Sequence, residues 1–188
     1  MSGAGKSTAC KLFRESGFGI IDCDRICREI VEKDKPCLKE IVSAFGEGIL
    51  TKEGELDRRL LGKTIFADSG KRILLNGIMY PYVSYNVIKQ IISSTSDYTV
   101  LDAPTLFESG METVCDLIVS VGADKETLAE RIIARDGISR DEAENRLNSQ
   151  HDIEFFRERS DILLMNDRSA EEFSEEIRKT TEFIKESK

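Results

Sequence analysis

The first eight residues, MSGAGKST, are the ones whose types and spacing most directly spell out a chemistry. They match the end of the phosphate-binding pattern GxxxxGK[ST]. Gly3 and Gly5 let backbone N–H groups turn inward around phosphate oxygens, where a Cβ would stand in the way. Residues Gly3, Ala4, Gly5, Lys6, Ser7 and Thr8 then form an ATP-phosphate cradle. Lys6 is long enough to reach the β and γ phosphates, and Ser7 can ligate Mg²⁺. The helix expected to follow turns its positive end toward the anion. In the full pattern the first glycine would lie one position before Met1, preceded by the strand that delivers the loop. We therefore expect Met1 to be an internal methionine or the product of trimming, and the 188-residue chain to be poorly stable or weakly active.

A pair of carboxylates is the second candidate. Asp22 and Asp24 follow an apolar run, FGII, at the C-terminal end of an expected strand, where open α/β sheets bind ligands. Alternation along an extended segment places both on one side. One carboxylate can hold Mg²⁺ and the other can accept the proton of an attacking hydroxyl. We assign Asp24 as the base and Asp22 as the magnesium-side group. The competing role is that one or both cap the helix that begins near Arg25. Asp102, at the end of YTVLD, is a third strand-end carboxylate, placed to bind magnesium or orient the substrate.

A polyanionic substrate needs local cations, because the chain as a whole carries −8, with 27 Lys and Arg against 35 Asp and Glu. The candidates are Lys6, Arg28, Arg58, Arg59 and Lys63, and then Arg131, Arg135, Arg140 and Arg146. Arginine suits the task because its planar fork binds phosphate through two bonds and keeps its charge. The acidic balance argues against nucleic-acid and anionic-membrane partners. No apolar run reaches the roughly 18–20 residues of a membrane span, and the N-terminus lacks a signal-peptide pattern. Five scattered cysteines, 10, 23, 27, 37 and 115, form no CxxC pair and read as reduced thiols of a cytoplasmic protein. The one histidine, His151, sits in a polar stretch and reads as solvated rather than catalytic.

These groups have to be positioned by elements. Apolar spacing predicts helices over 6–16, 24–33, 36–45, a stretch within 49–69, 71–92 with a break near Tyr80-Pro81, 124–135, 139–150 and 169–185. Short apolar runs predict strands at 18–23, 98–102, 117–121 and 161–165. Strands alternating with helices imply a parallel sheet covered on both faces. The gap between residues 23 and 98 is too long for one crossover and must hold a helical insertion. Phe173, Ile177 and Ile184 share one face of the last helix and read as core.

Taken together, the segments GAGKST, IIDCDRICREIV, GELDRRLL, LDAPTLFESG, RIIARDGISRDEAENRLNSQ and SDILLMND resemble the dephospho-CoA kinase family along nearly the whole chain. The resemblance implies transfer of the ATP γ-phosphate to the ribose 3′-hydroxyl of dephospho-CoA, with Mg²⁺. It implies a P-loop NTPase-type three-layer sandwich with a parallel sheet, a helical substrate insertion and a helical lid. The corresponding segments are a core of 1–27, 96–123 and 160–188, a substrate domain of 28–95, and a lid of 124–159. By resemblance, Asp24 matches the base, Arg58 the LDR motif of the substrate domain and Arg135 a lid arginine near the transferring phosphate. Gln150 closes the lid block, and Asn166 matches an asparagine near the adenine. The family often has His-Pro where this chain has Tyr80-Pro81. A monomer or weak homo-oligomer is expected. Two rivals remain: another P-loop small-molecule or nucleoside kinase, and a non-catalytic nucleotide- or CoA-binding protein.

Overall fold

The computed structural model describes residues 1–187. The chain divides into two compact units. One comprises Met1–Ile20, Ser96–Val100 and the chain from Val114 on; the other comprises Ile21–Thr95 and Leu101–Thr113. Strands β1 (Gly19–Asp22) and β2 (Thr99–Asp102) pair with each other, and the chain passes between units within both. Strands β3 (Val119–Gly122) and β4 (Ile162–Met165) form a parallel ladder from Val119–Ile162 to Gly122–Met165. Among the described residues the strands therefore form two pairs rather than one continuous sheet. Strands β1, β2 and β4 lie within the apolar runs that predicted them, and β3 starts two residues late and runs one residue past its own.

In the first unit, α1 (Lys6–Glu15) packs against α9 (Ala170–Glu186), and α6 (Lys125–Asp136) against α7 (Arg140–Asn148). Phe13, Leu128, Ile132, Leu164, Phe173 and Ile177 supply the buried core, with Ile184 packed against it. The core reading of the last helix is correct. Phe13 meets Phe18 edge-on at 5.2 Å, a favoured aromatic arrangement. Helix α8 (Ile153–Arg159) was not anticipated: it is only two turns long, and its apolar residues do not repeat often enough to show a period. It rests on β3, where an added Cβ at Gly122 would stand 2.4 Å from Ile153 Cδ1.

The second unit is helical: α2 (Cys23–Glu29), α3 (Pro36–Phe45), α4 (Arg58–Ala67) and α5 (Ser69–Ser93). Helices α2, α3 and α4 all pack against α5. Ile26, Ile41 and Val87 are almost wholly buried there, each contributing roughly 1.5–3 kcal/mol of burial. Short polar residues set the helix starts. Asp57 accepts from Leu60 N at 2.8 Å and Asp68 from Lys71 N at 3.1 Å, caps that typically contribute about 1 kcal/mol each.

The expected break at Tyr80-Pro81 does not occur: α5 runs unbroken with Pro81 inside it. Pro81 lies on the solvent side, and the residue four earlier, whose carbonyl loses its partner, is the exposed Gly77. Water can satisfy that carbonyl. Leu75, Val83 and Val87 hold the other face in the core.

Candidate active site

The glycine loop folds as its composition demands. Gly3 has φ +79° and Gly5 φ +100°, both in the left-handed region. Gly5 is the N-cap of α1, which has no side-chain cap and no acid in its first turn. No carboxylate within the helix therefore offsets its positive end. Ser7 and Thr8 are exposed there, and Ala4 is fully buried behind them.

Two distant side chains clamp the loop. Asn166 Nδ2 donates to the Ala4 carbonyl at 2.8 Å. Ser2 N donates to Gln150 Oε1 at 2.9 Å, and Gln150 Nε2 donates to the Arg146 carbonyl at 3.1 Å. Sequence reasoning flagged both residues without finding this role, because nothing local connects positions so far apart. The loop also lies on α6: a Cβ at Gly3 would sit 3.1 Å from the Leu128 carbonyl and 3.7 Å from Arg131 Cβ. Arg131 Nη1 is buried with no hydrogen-bond partner among the described residues. Arg131 thus has its Cβ against the glycine loop and one guanidinium nitrogen unsatisfied.

Arg135 is exposed and grips Asp136 through two bonds, Nε at 2.7 Å and Nη2 at 2.9 Å. Arg146 also pairs with Asp136. Arg135 first, and then Arg146, hold the Asp136 carboxyl down at about 2. Arg140 is taken up by Glu126 and Glu144. His151 is exposed and stacks on Phe155 at 3.6 Å.

The second group of predicted residues surrounds the start of α2. Asp22 and Asp24 do not share an extended segment as expected, because helix begins at Cys23. Asp22 is the N-cap, accepting from Arg25 N at 2.9 Å, and Asp24 stands exposed in the first turn. The capping role thus falls to Asp22. Between them Cys23 is buried, and its thiol is pushed up to about 12 by burial, then by Cys27, Asp102, Asp24 and Asp22. Three carboxylates thus act on one thiol, which gathers Asp22, Asp24 and Asp102 into one neighbourhood. Cys27 is raised by burial and by Asp24 and lowered by Arg58. Arg58 Nη2 donates to the Arg28 carbonyl at 3.2 Å and lines a cleft with Lys33 and Glu55. Tyr80 is half-buried. Its phenol is raised by burial, then by Glu108 and Cys27.

No group of three or more His, Cys, Asp or Glu among the described residues could hold a metal ion by itself.

A GKST loop clamped at the uncapped start of a helix, in a mixed α/β fold with a parallel ladder, defines a P-loop kinase. The family model for dephospho-CoA kinase matches residues 2–172. The dephospho-CoA kinase of Bacillus licheniformis is 37% identical over 166 residues, covering 87% of this chain and 83% of its own length. That of Enterococcus faecalis is 38% identical over 180 residues, covering 95% and 90%. Among solved structures, one from Thermus thermophilus superposes with a TM-score of 0.85 at 29% identity, covering 95% of this chain and 91% of that one. Dephospho-CoA kinase from Campylobacter jejuni gives 0.70 at 28% identity, covering 97% and 92%. The chain belongs to the dephospho-CoA kinase family, and is an ATP-dependent phosphotransferase of coenzyme A biosynthesis.

Proposed function

We propose that this chain phosphorylates the ribose 3′-hydroxyl of dephospho-CoA, with the following division of labour. Gly3 to Thr8 hold the ATP phosphates through backbone N–H groups, and Lys6 balances charge on the β and γ groups. Asp24 accepts the proton of the 3′-hydroxyl. The oxygen then forms its bond to the γ-phosphorus as the bond to the β-phosphate oxygen breaks, releasing ADP. Arg28, Arg58 and Asp102 orient dephospho-CoA. Asn166 fixes the loop. Arg135 leaves Asp136 to meet charge on the moving phosphoryl group. Ser7 and Asp22 would hold magnesium, which supplies charge neutralisation for the phosphates when bound.

The observation that carries this reading is the clamped loop at the uncapped end of α1. The proposed domains are a core of 1–27, 96–123 and 160–188, a substrate domain of 28–95 and a lid of 124–159. No helix among the described residues is long and apolar enough to cross a membrane, and none of the five thiols is in a disulfide. Thiols outside disulfides support a cytoplasmic location.

The test is ADP release with ATP, Mg²⁺ and dephospho-CoA. AMP and uridine serve as acceptor controls, and ligand-induced stabilisation is followed in parallel. Asp24→Asn should lower kcat about 10²–10⁴-fold with ATP affinity unchanged. Arg135→Ala should lower kcat much more than it raises KM. Stabilisation by both ligands without ADP formation would leave a binding protein instead.

A further inference from the structure

Helix α5 has an apolar face that the fold does not cover. Eight of the ten large apolar side chains exposed among the described residues lie on α4 and α5, including Tyr85 at 65% and Ile92 at 79%. A helix of 3.6 residues per turn brings positions 7 and 18 apart onto nearly one line. Leu74, Gly77, Pro81, Tyr85, Ile88 and Ile92 therefore form a single stripe, opposite the buried Leu75, Val83 and Val87. A helix that is apolar on both faces belongs in an interior.

The stripe is symmetric about Pro81. Its members lie 4, 7 and 11 residues to either side, Gly70 completing the set on the N-terminal side. Laid antiparallel on a copy of itself with Pro81 at the centre, it sets Leu74 opposite Ile88, Gly77 opposite Tyr85 and Gly70 opposite Ile92. Glycines thus face the two largest overhanging side chains, as an isologous two-fold contact requires. Lys71 and Lys89, 10 residues before and 8 after Pro81, are 18 apart on one flank, Arg72 lies on the side away from the stripe, and α5 contains no acid.

We propose that the outer face of α5 is a self-association surface, occupied by α5 of a second copy of this chain running antiparallel. The 25-residue helix is about 37 Å long and 10–12 Å wide. It offers about 400 Å² per copy, roughly half of a standard interface. The dimer is accordingly reversible and forms with rising concentration. Antiparallel pairing sets each Lys71 beside the partner's Lys89. Salt screens that repulsion, so added salt tightens the dimer. Binding of the same face to anionic lipid would weaken with salt.

Sedimentation velocity over a concentration series, at low and high potassium chloride, tests this on the full chain. The mass should rise from one chain toward two, and further at high salt. Tyr85→Gln with Ile88→Gln should keep the chain monomeric. Both side chains are exposed, and an unchanged circular dichroism melt will show that the fold survives. Pro81→Cys should cross-link to itself under mild oxidation well beyond the background of the native thiols. A monomer at every concentration, a stable mass above two chains, or cross-linking no greater than wild type would overturn the proposal. So would association that weakens with salt, together with co-pelleting on phosphatidylglycerol vesicles.

Discussion

Replacing Asn166 by alanine removes the donor that fixes the Ala4 carbonyl, in a part of the loop where Ala4 is fully buried. An unpaired buried carbonyl costs about 1–3 kcal/mol. For a chain of this length that corresponds to a melting temperature lower by about 2–12 °C. Nucleotide-induced stabilisation should fall with it, because the cradle loses its fixed geometry. Gly5→Ala acts on the same spot from the other side. Its Cβ would stand 2.4 Å from Asn166 Nδ2, at φ +100°. The backbone conformation alone costs about 1–2 kcal/mol, and the collision adds to it. In the double variant the collision is gone, and the backbone cost and the unpaired Ala4 carbonyl remain. The pair should therefore be less destabilised than the sum of the singles, a coupling of about 0.5–3 kcal/mol. Differential scanning fluorimetry with and without ATP, on all four proteins, reads both quantities. Strictly additive melting shifts, or an Asn166→Ala protein that melts and binds ATP as wild type does, would refute the clamp.

Two further outcomes are expected. Asp136 is held from the ordinary 3.8 down to about 2 by Arg135 and Arg146. Its stabilising pairing is complete above about pH 4 and is lost as pH falls through 2. A carboxyl NMR titration should therefore show the α6–α7 junction loosening in that window in wild type and no such step in Asp136→Asn. Gly122→Ala drives a methyl to 2.4 Å from Ile153 Cδ1. It should destabilise by about 1–3 kcal/mol in a urea melt, and Gly122→Ala with Ile153→Val should recover part of that.

What the sequence made legible was local. GKST and the four apolar runs each act within a turn or two, and the structure follows them. The break at Pro81 was misjudged because the penalty for an internal proline falls away when its unpaired carbonyl faces water and the opposite face is packed. The extended reading of Asp22 and Asp24 failed because capping by Asp22 starts the helix one residue before Asp24. Helix α8 has too few residues to show a period. The roles of Gln150 and Asn166 on the loop are invisible to any pattern, since each contact joins opposite ends of the chain.

That last arrangement bears on how the protein is made. The loop leaves the ribosome well ahead of the side chains that hold it, which are numbered 150 and 166. Until residues 150 and 166 have both been synthesised, the loop lacks its full clamp. A growing chain should therefore be unable to capture nucleotide until Asn166 has emerged, and competence should arrive abruptly at that point.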